Sequence, residues 1–411
     1  MTGETRSPER GSLLLALYVP TIINGLARGL LLPVLPLFAG EFSDSYATVG
    51  LILAASAGGN LAADLPVGVL IRRLGRKRVM MAGGLIVSLS LLALWWAQSV
   101  FEAVAVQFAG GIGTAMWNVS RHSFLAEAIR SDRRGRASAF MGGINRVTSF
   151  FTPAAGGFLA SAFGLRVPFL ACAGLTFLAL LAAARWIPGD GPEHPGKGAG
   201  GRRRGILLRM VREHHAIVPA CAAHLCVSLI RSARNVLIPL YGADQLGLGA
   251  ADIGVVTSLS YSIDMLMFYP AGLLMDRFGR KFASVPSFLV QAVGIAAIPL
   301  TGSFAGLAAA AVLIGFGNGI GSGTMLTLGS DLAPGNARGE FLGVWRFIGD
   351  AGNAGSPLVV GPVADLLGLT AAPLAVSGVG VAAAAILLLG VPETLDRAHG
   401  RRALDPRQGG G

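Results

Sequence analysis

The chain has 411 residues, of which 53% are hydrophobic, 59 are glycine and only 13% are charged. An average soluble domain carries about 25% charged residues, so composition excludes both an ordinary soluble enzyme and a disordered chain. Lys and Arg outnumber Asp and Glu by 33 to 22, a formal net charge of +11, and the position of that charge along the chain decides what it means.

The apolar residues come in nearly charge-free blocks of about 20 or more, the length that crosses the roughly 30 Å hydrocarbon core of a bilayer. The first ten residues are polar. The block after them, 12–39, is too long for a removable signal segment and contains Arg28, so it reads as a transmembrane helix that stays. Further spans follow at 47–71, 79–97, 102–128, 138–163 and 167–187, then at 216–242, 251–275, 284–301, 304–330, 340–368 and 371–391, making twelve in all. Between the sixth and seventh lies a long polar stretch rich in Gly, Pro and Arg, which reads as a flexible linker. The expected organisation is an all-α integral membrane protein with a six-helix bundle at 1–187, a linker at 188–215, a second six-helix bundle at 216–391 and a tail at 392–411.

Most of the basic residues fall on one side of these spans: Arg72, Arg73, Arg76, Lys77 and Arg78, then Arg130, Arg133, Arg134 and Arg136, the linker cluster, Arg277, Arg280 and Lys281. Opposite loops are short and carry Glu41, Asp44, Asp244 and Asp252. By the positive-inside rule both termini and the linker are cytoplasmic, in a cell membrane, and the net charge is a topology signal rather than a nucleic-acid footprint. Cys172, Cys221 and Cys226 lie within spans at no metal-ligand spacing and read as small packing side chains.

Residues recur at a fixed offset of 204. Pro66, Gly68, Gly75, Arg76 and Lys77 fall on Pro270, Gly272, Gly279, Arg280 and Lys281; Gly111 and Gly113 fall on Gly315 and Gly317; Pro153 and Gly157 fall on Pro357 and Gly361. In the first helix of each half the offset becomes 206, with RGLLLP from Arg28 matching RNVLIP from Arg234. Two parallel six-helix halves about an axis along the membrane normal are a transporter architecture with its substrate site between them.

GLLMDRFGRK, from Gly272 through Asp276, Arg277, Gly279 and Arg280 to Lys281, resembles the loop signature of the major facilitator superfamily. Its first-half copy, Gly68 to Arg78, keeps the glycines and basic run but has Arg72 at the family's acidic position. TPAAGG, with Pro153, Gly156 and Gly157, resembles the fifth-helix motif of the drug:proton antiporter (multidrug efflux) branch, whereas Gln107 stands where that branch has a fourth-helix arginine. The resemblance implies a secondary active transporter working by alternating access, with proton-coupled efflux of drugs or small organic molecules. It implies no cofactor or metal, and as partners a small-molecule substrate, protons and the lipid bilayer, in a monomer.

Charged side chains within spans are costly and mark function. Six arginines lie there, Arg28, Arg121, Arg146, Arg231, Arg234 and Arg346, with three carboxylates, Asp64, Asp264 and Asp350. Depth along the helices pairs Arg146 with Asp264 and Asp64 with Arg346, as ties that close the cytoplasmic side in an outward-facing state. Arg28 and Arg234, at equivalent positions, together with Arg231, Arg121, Asn24, Asn118 and an aromatic wall from Trp117, are expected to bind substrate. The three aspartates are the proton-coupling candidates. Forked guanidiniums suit carboxylate or phosphate, so a transporter of an organic anion is the alternative. A polytopic membrane enzyme or a transport-dead receptor are remote ones, since no phosphate-binding loop occurs and His214 and His215 fall in the linker.

Overall fold

The computed structural model describes residues 10–128, 134–187, 216–334 and 338–395; the expected linker and residues 396–411 of the tail lie outside them. Everything regular among the described residues is helical, as lipid demands, because a helix satisfies its own backbone polar groups. The first half comprises α1 (Arg10–Gly40), α2 (Tyr46–Leu74), α3 (Arg76–Leu94), α4 (Val100–Ala128), α5 (Arg134–Phe163) and α6 (Val167–Trp186). In the second are α7 (Ile217–Asp244), α8 (Ala250–Phe278), α9 (Arg280–Ala297), α10 (Phe304–Ile320), α11 (Thr324–Leu332), α12 (Arg338–Leu367) and α13 (Ala371–Gly390). The tenth expected span is thus broken: the glycine-rich GNGIGSG run leaves helical geometry at Gly321–Gly323, where Gly323 takes φ +82°.

Ten spans are long and apolar enough to cross a membrane on their own. The other two, α5 and α12, are both 30 residues long and carry Arg146, and Arg346 with Asp350, respectively.

The offset of 204 returns as physical contact. A Cβ on Gly111 of α4 would run into the Ser56 carbonyl of α2, and one on Gly315 of α10 into the Ser260 carbonyl of α8. Lys77 Nζ donates to the Ala184 carbonyl at 2.8 Å, and Lys281 Nζ to the Leu388 carbonyl at 2.9 Å. The two most extensive helix pairs between the halves are α2 with α12 and α5 with α8. In the first, Gly50 meets the Pro357 carbonyl and Gly361 meets that of Tyr46; in the second, Gly254 meets the Pro153 carbonyl and Gly157 that of Ala250. Each contact of one pair is the other's image. Glycine serves here because, without a Cβ, it lets two backbones touch where lipid offers no hydrophobic drive for association.

All four of these crossings lie toward the face opposite the basic loops. Toward the basic side, Gly68, Gly142, Gly143, Gly272 and Gly343 on the same four helices have open space where a Cβ would stand. The glycine crossings that join the halves are those toward the opposite face.

On the basic side the second half is braced from within. Gly279 (φ +112°) turns the chain into α9, whose first amides, on Arg280 and Lys281, donate to Glu393 at 2.9 and 3.0 Å. Asp331 accepts from Arg280 Nε (3.0 Å) and Thr394 Oγ1 (2.8 Å). Burial would push the Glu393 carboxyl up, but the backbone amides of Leu395, Lys281, Arg280 and Thr394 outweigh it and hold it below its ordinary value of 4.5. A carboxylate with a depressed pKa stabilises the fold above its unfolded pKa and loses that contribution as pH falls through its folded one. Amide exchange at Arg280 and Lys281, corrected for intrinsic rates, is therefore expected to show constant protection down to pH 4.5 and a loss below it. Glu393→Gln should speed exchange at neutral pH by roughly threefold to tenfold, the worth of a solvent-screened cap. Equal protection in variant and wild type would remove the cap from the account.

Candidate functional site

Halfway along the spans, side chains from three helices converge on one carboxylate of a fourth. Arg231 and Arg234 sit three residues apart on α7 and so share a face. Asp264, near the middle of α8, is 5% exposed. Its Oδ1 accepts from Arg146 Nη1 at 3.0 Å; its Oδ2 accepts from Arg234 Nη2 at 3.3 Å and from Asn318 Nδ2 of α10 at 2.6 Å. Arg146 comes from the first half and also donates to Ser322 Oγ, in the break between α10 and α11. Arg231 Nη2 donates to the Gly321 carbonyl in that break at 2.7 Å.

Aromatic faces complete the surroundings. The Arg146 guanidinium lies 4.5 Å from the Phe268 centroid and that of Arg234 lies 4.0 Å from Tyr261, whose hydroxyl donates to Asn235 Oδ1 at 3.0 Å. Such contacts partly replace the hydration a buried cation loses.

A second charged group lies between α1, α2, α4 and α12. Arg346 Nε is 3.7 Å from Asp350 Oδ2 one turn along α12. Arg28, which is exposed on α1, acts electrostatically on Asp350 and Arg121, and Asp64 of α2 lies within reach of both Asp350 and Arg346. Arg121 Nη1 donates to Thr21 Oγ1 at 3.3 Å. A cavity of about 360 Å³ reaches Arg346 and Asp350, walled by Trp345 and His224, whose rings stack at 4.5 Å.

Several expectations change. Arg146 does meet Asp264 across the halves, at 3.0 Å. Arg346 takes Asp350 rather than Asp64 as its ion-pair partner, because an i,i+4 neighbour is held close by the helix itself whereas Asp64 must be reached across the halves. Trp117 is no cavity wall. It is 5% exposed and wedged against Gly84 and Leu180 in the core between α3, α4 and α6. Asn24 spends its amide on the Pro20 carbonyl of its own helix at 3.0 Å, and Asn118 offers His122 Nδ1 only its backbone oxygen. The motif residues Asp276 and Arg277 are exposed on the basic side, beside the brace that Arg280 forms with Asp331.

Asn318, Ser322 and Tyr261 were absent from the sequence expectations. The signal for the first two was a glycine-rich run with polar residues inside an apolar span, which marks discontinuous helix near a transporter's site. Asp365 was also absent. This carboxylate, near the opposite end of α12, accepts from Ser45 Oγ (2.7 Å), the Tyr46 amide (2.7 Å) and the Ala47 amide (2.9 Å), capping α2 across the halves. It stands beside a cleft of about 800 Å³ on that face, lined in part by Glu41, Asp44, Tyr46 and Asp244.

Comparison with known proteins agrees with this architecture. An uncharacterized MFS-type transporter of Methanocaldococcus jannaschii is 22% identical over 86% of this chain and 91% of its own length. Multidrug resistance protein 2 of Bacillus subtilis is 27% identical over 43% of this chain and 44% of its own. Among solved structures, a bacterial homolog to the human lysosomal transporter Spinster, in an inward-facing and occupied conformation, superposes with a TM-score of 0.75 at 16% identity, covering 93% of this chain and 97% of that one. The model of the Major Facilitator Superfamily matches residues 17–354 and also 220–408. Two matches that share the middle of the chain suit a protein made of two similar halves, and this chain belongs to the Major Facilitator Superfamily.

Proposed function

We propose that the chain is a secondary active transporter that exports small organic molecules in exchange for protons, by alternating access, with both termini on the cytoplasmic side of a cell membrane. The observation that carries this reading is the arrangement of the halves. They touch through glycine-mediated crossings toward one face, while Arg146 and Asp264 tie them nearer the middle of the spans. Two bodies joined this way can rock about their mid-level and expose a central site to either side in turn. Asp264 serves three donors as their counter-ion. Asp64 and Asp350 stand near one another beside Arg346, which suits them to exchange a proton as the halves move.

Inside-out vesicles with an imposed proton gradient test the proposal, using ethidium and p-aminohippurate as probes. At least one is expected to accumulate only while the gradient lasts, with initial rates about tenfold lower in Asp350→Asn, a loss of about 1.4 kcal/mol in transition-state terms. Accumulation that ignores the gradient would overturn proton exchange. The similarity to multidrug resistance protein 2 agrees with export as the direction.

A further inference from the structure

The cations around Asp264 are not fully answered. Arg146, Arg231 and Arg234 surround a single carboxylate, whose two oxygens already accept from Arg146, Arg234 and Asn318. Arg231 has only a neutral acceptor, the Gly321 carbonyl. Three guanidinium nitrogens, Arg231 Nε, Arg234 Nε and Arg234 Nη1, are buried with no hydrogen-bond acceptor, and Arg234 is 5% exposed overall. Buried polar groups are normally satisfied and buried charges normally paired. Here neither holds, and both failures are at one place, on the helix face that meets the first half through Arg146. The other two carboxylates within the spans do not make up the difference, since Asp64 and Asp350 lie in the separate group beside Arg346.

The missing component is an anion. We propose that the substrate is an organic anion whose carboxylate or phosphate group is held by the forks of Arg231 and Arg234, with Arg146 closing the site from the other half. The proposal rests on the transporter reading above and gives its substrate class. Guanidinium forks match the planar spacing of carboxylate and phosphate oxygens. Gly321 contributes by having no side chain, since a Cβ there would meet both Ser287 Oγ and the Arg231 guanidinium. Tyr261 and Phe268, over Arg234 and Arg146, provide apolar surface for the organic part. A substrate anion here also supplies the second counter-charge that Asp264 lacks, drawing Arg146 and the α7 arginines together across the halves.

Thermal stability of the purified protein in low-chloride detergent buffer tests this, with p-aminohippurate and glucose 6-phosphate as organic anions, sulfate and inorganic phosphate as bare anions, and tetraphenylphosphonium as the cation. An organic anion is expected to raise the melting temperature in a saturable way, with apparent affinity at least about tenfold weaker in Arg231→Gln and in Arg234→Gln. Arg231→Lys, which keeps the charge but not the fork, should lie between them and wild type. The comparison of anions with the cation needs only wild-type protein, so a variant that fails to fold does not leave the proposal untested. Stabilisation by sulfate or phosphate alone, with nothing gained from the organic part, would assign the site to a structural counter-ion and overturn the proposal. Stabilisation by tetraphenylphosphonium alone, or by none of the anions, would overturn it too, while gradient-driven accumulation of ethidium in vesicles would leave the transporter reading standing. Absence of gradient-driven accumulation of either vesicle probe, with anion stabilisation intact, would count against the transporter reading and not against the anion site.

Discussion

Asp264→Asn is expected to destabilise the protein by about 3–5 kcal/mol, the cost of removing one partner from a buried ionic cluster. The carboxylate is the only anion among three guanidiniums, so the variant leaves Arg146 and Arg234 without a counter-charge in a low-dielectric interior. Asn has nearly the same shape, which makes cavity formation negligible and leaves the electrostatic penalty in charge of the outcome. A second substitution distinguishes this cause from general disruption. Arg234→Gln in the Asp264→Asn background removes one of the stranded cations, and the double variant should be more stable than Asp264→Asn alone. Unfolding by denaturant in detergent measures both. Penalties that simply add would show that the two side chains do not act as a unit, and the central cluster would lose its place in this account.

Asp365→Ala should move the population toward a state open at the face opposite the basic loops, by about fivefold to thirtyfold, corresponding to one or two kcal/mol. The Asp365 carboxylate takes three hydrogen bonds at 2.7–2.9 Å from the start of α2, where unpaired amides and the helix dipole both favour an anion. Three charge-assisted bonds would count for more than this in a dry site, but this one is exposed and solvent screens it. The contact joins the halves, so a state that opens on this face has to break it. No copy of it exists in the other half. The positions related by the offset of 204 are Gly249 and Ser161, neither of which is a carboxylate. Spin labels on cysteines introduced at Asp44 and Leu366, with Cys172, Cys221 and Cys226 replaced, would report the separation by double electron–electron resonance. A distance distribution identical to that of the unmutated background would rule out Asp365 as a latch.

Much of the fold was legible before any coordinates. Span lengths and the offset of 204 anticipated the six-plus-six architecture, and Pro153, Gly157, Pro357 and Gly361, picked out as repeats, turned out to make the crossings between halves. A glycine that must touch a backbone permits no alternative, so both copies of the repeat retain it. The charged residues were harder. Depth along the helices does pair Arg146 with Asp264. Depth alone misleads for Arg346, because it leaves out Asp350, which stands one turn along the same helix. Trp117 failed for a related reason: membership of α4 does not say which of its faces looks toward the cavity and which toward α3 and α6.

By itself the sequence determined that the chain is built of long apolar helices in two similar halves. Those properties follow from each helix meeting the same solvent, independently of its neighbours. Tertiary structure alone decided that Asp264 serves three donors, that the chain breaks at Gly321–Gly323 beside Arg231, and that Asp365 reaches across to α2. These depend on how helices are rotated and spaced against one another, a property of pairs of surfaces that no single segment of sequence encodes.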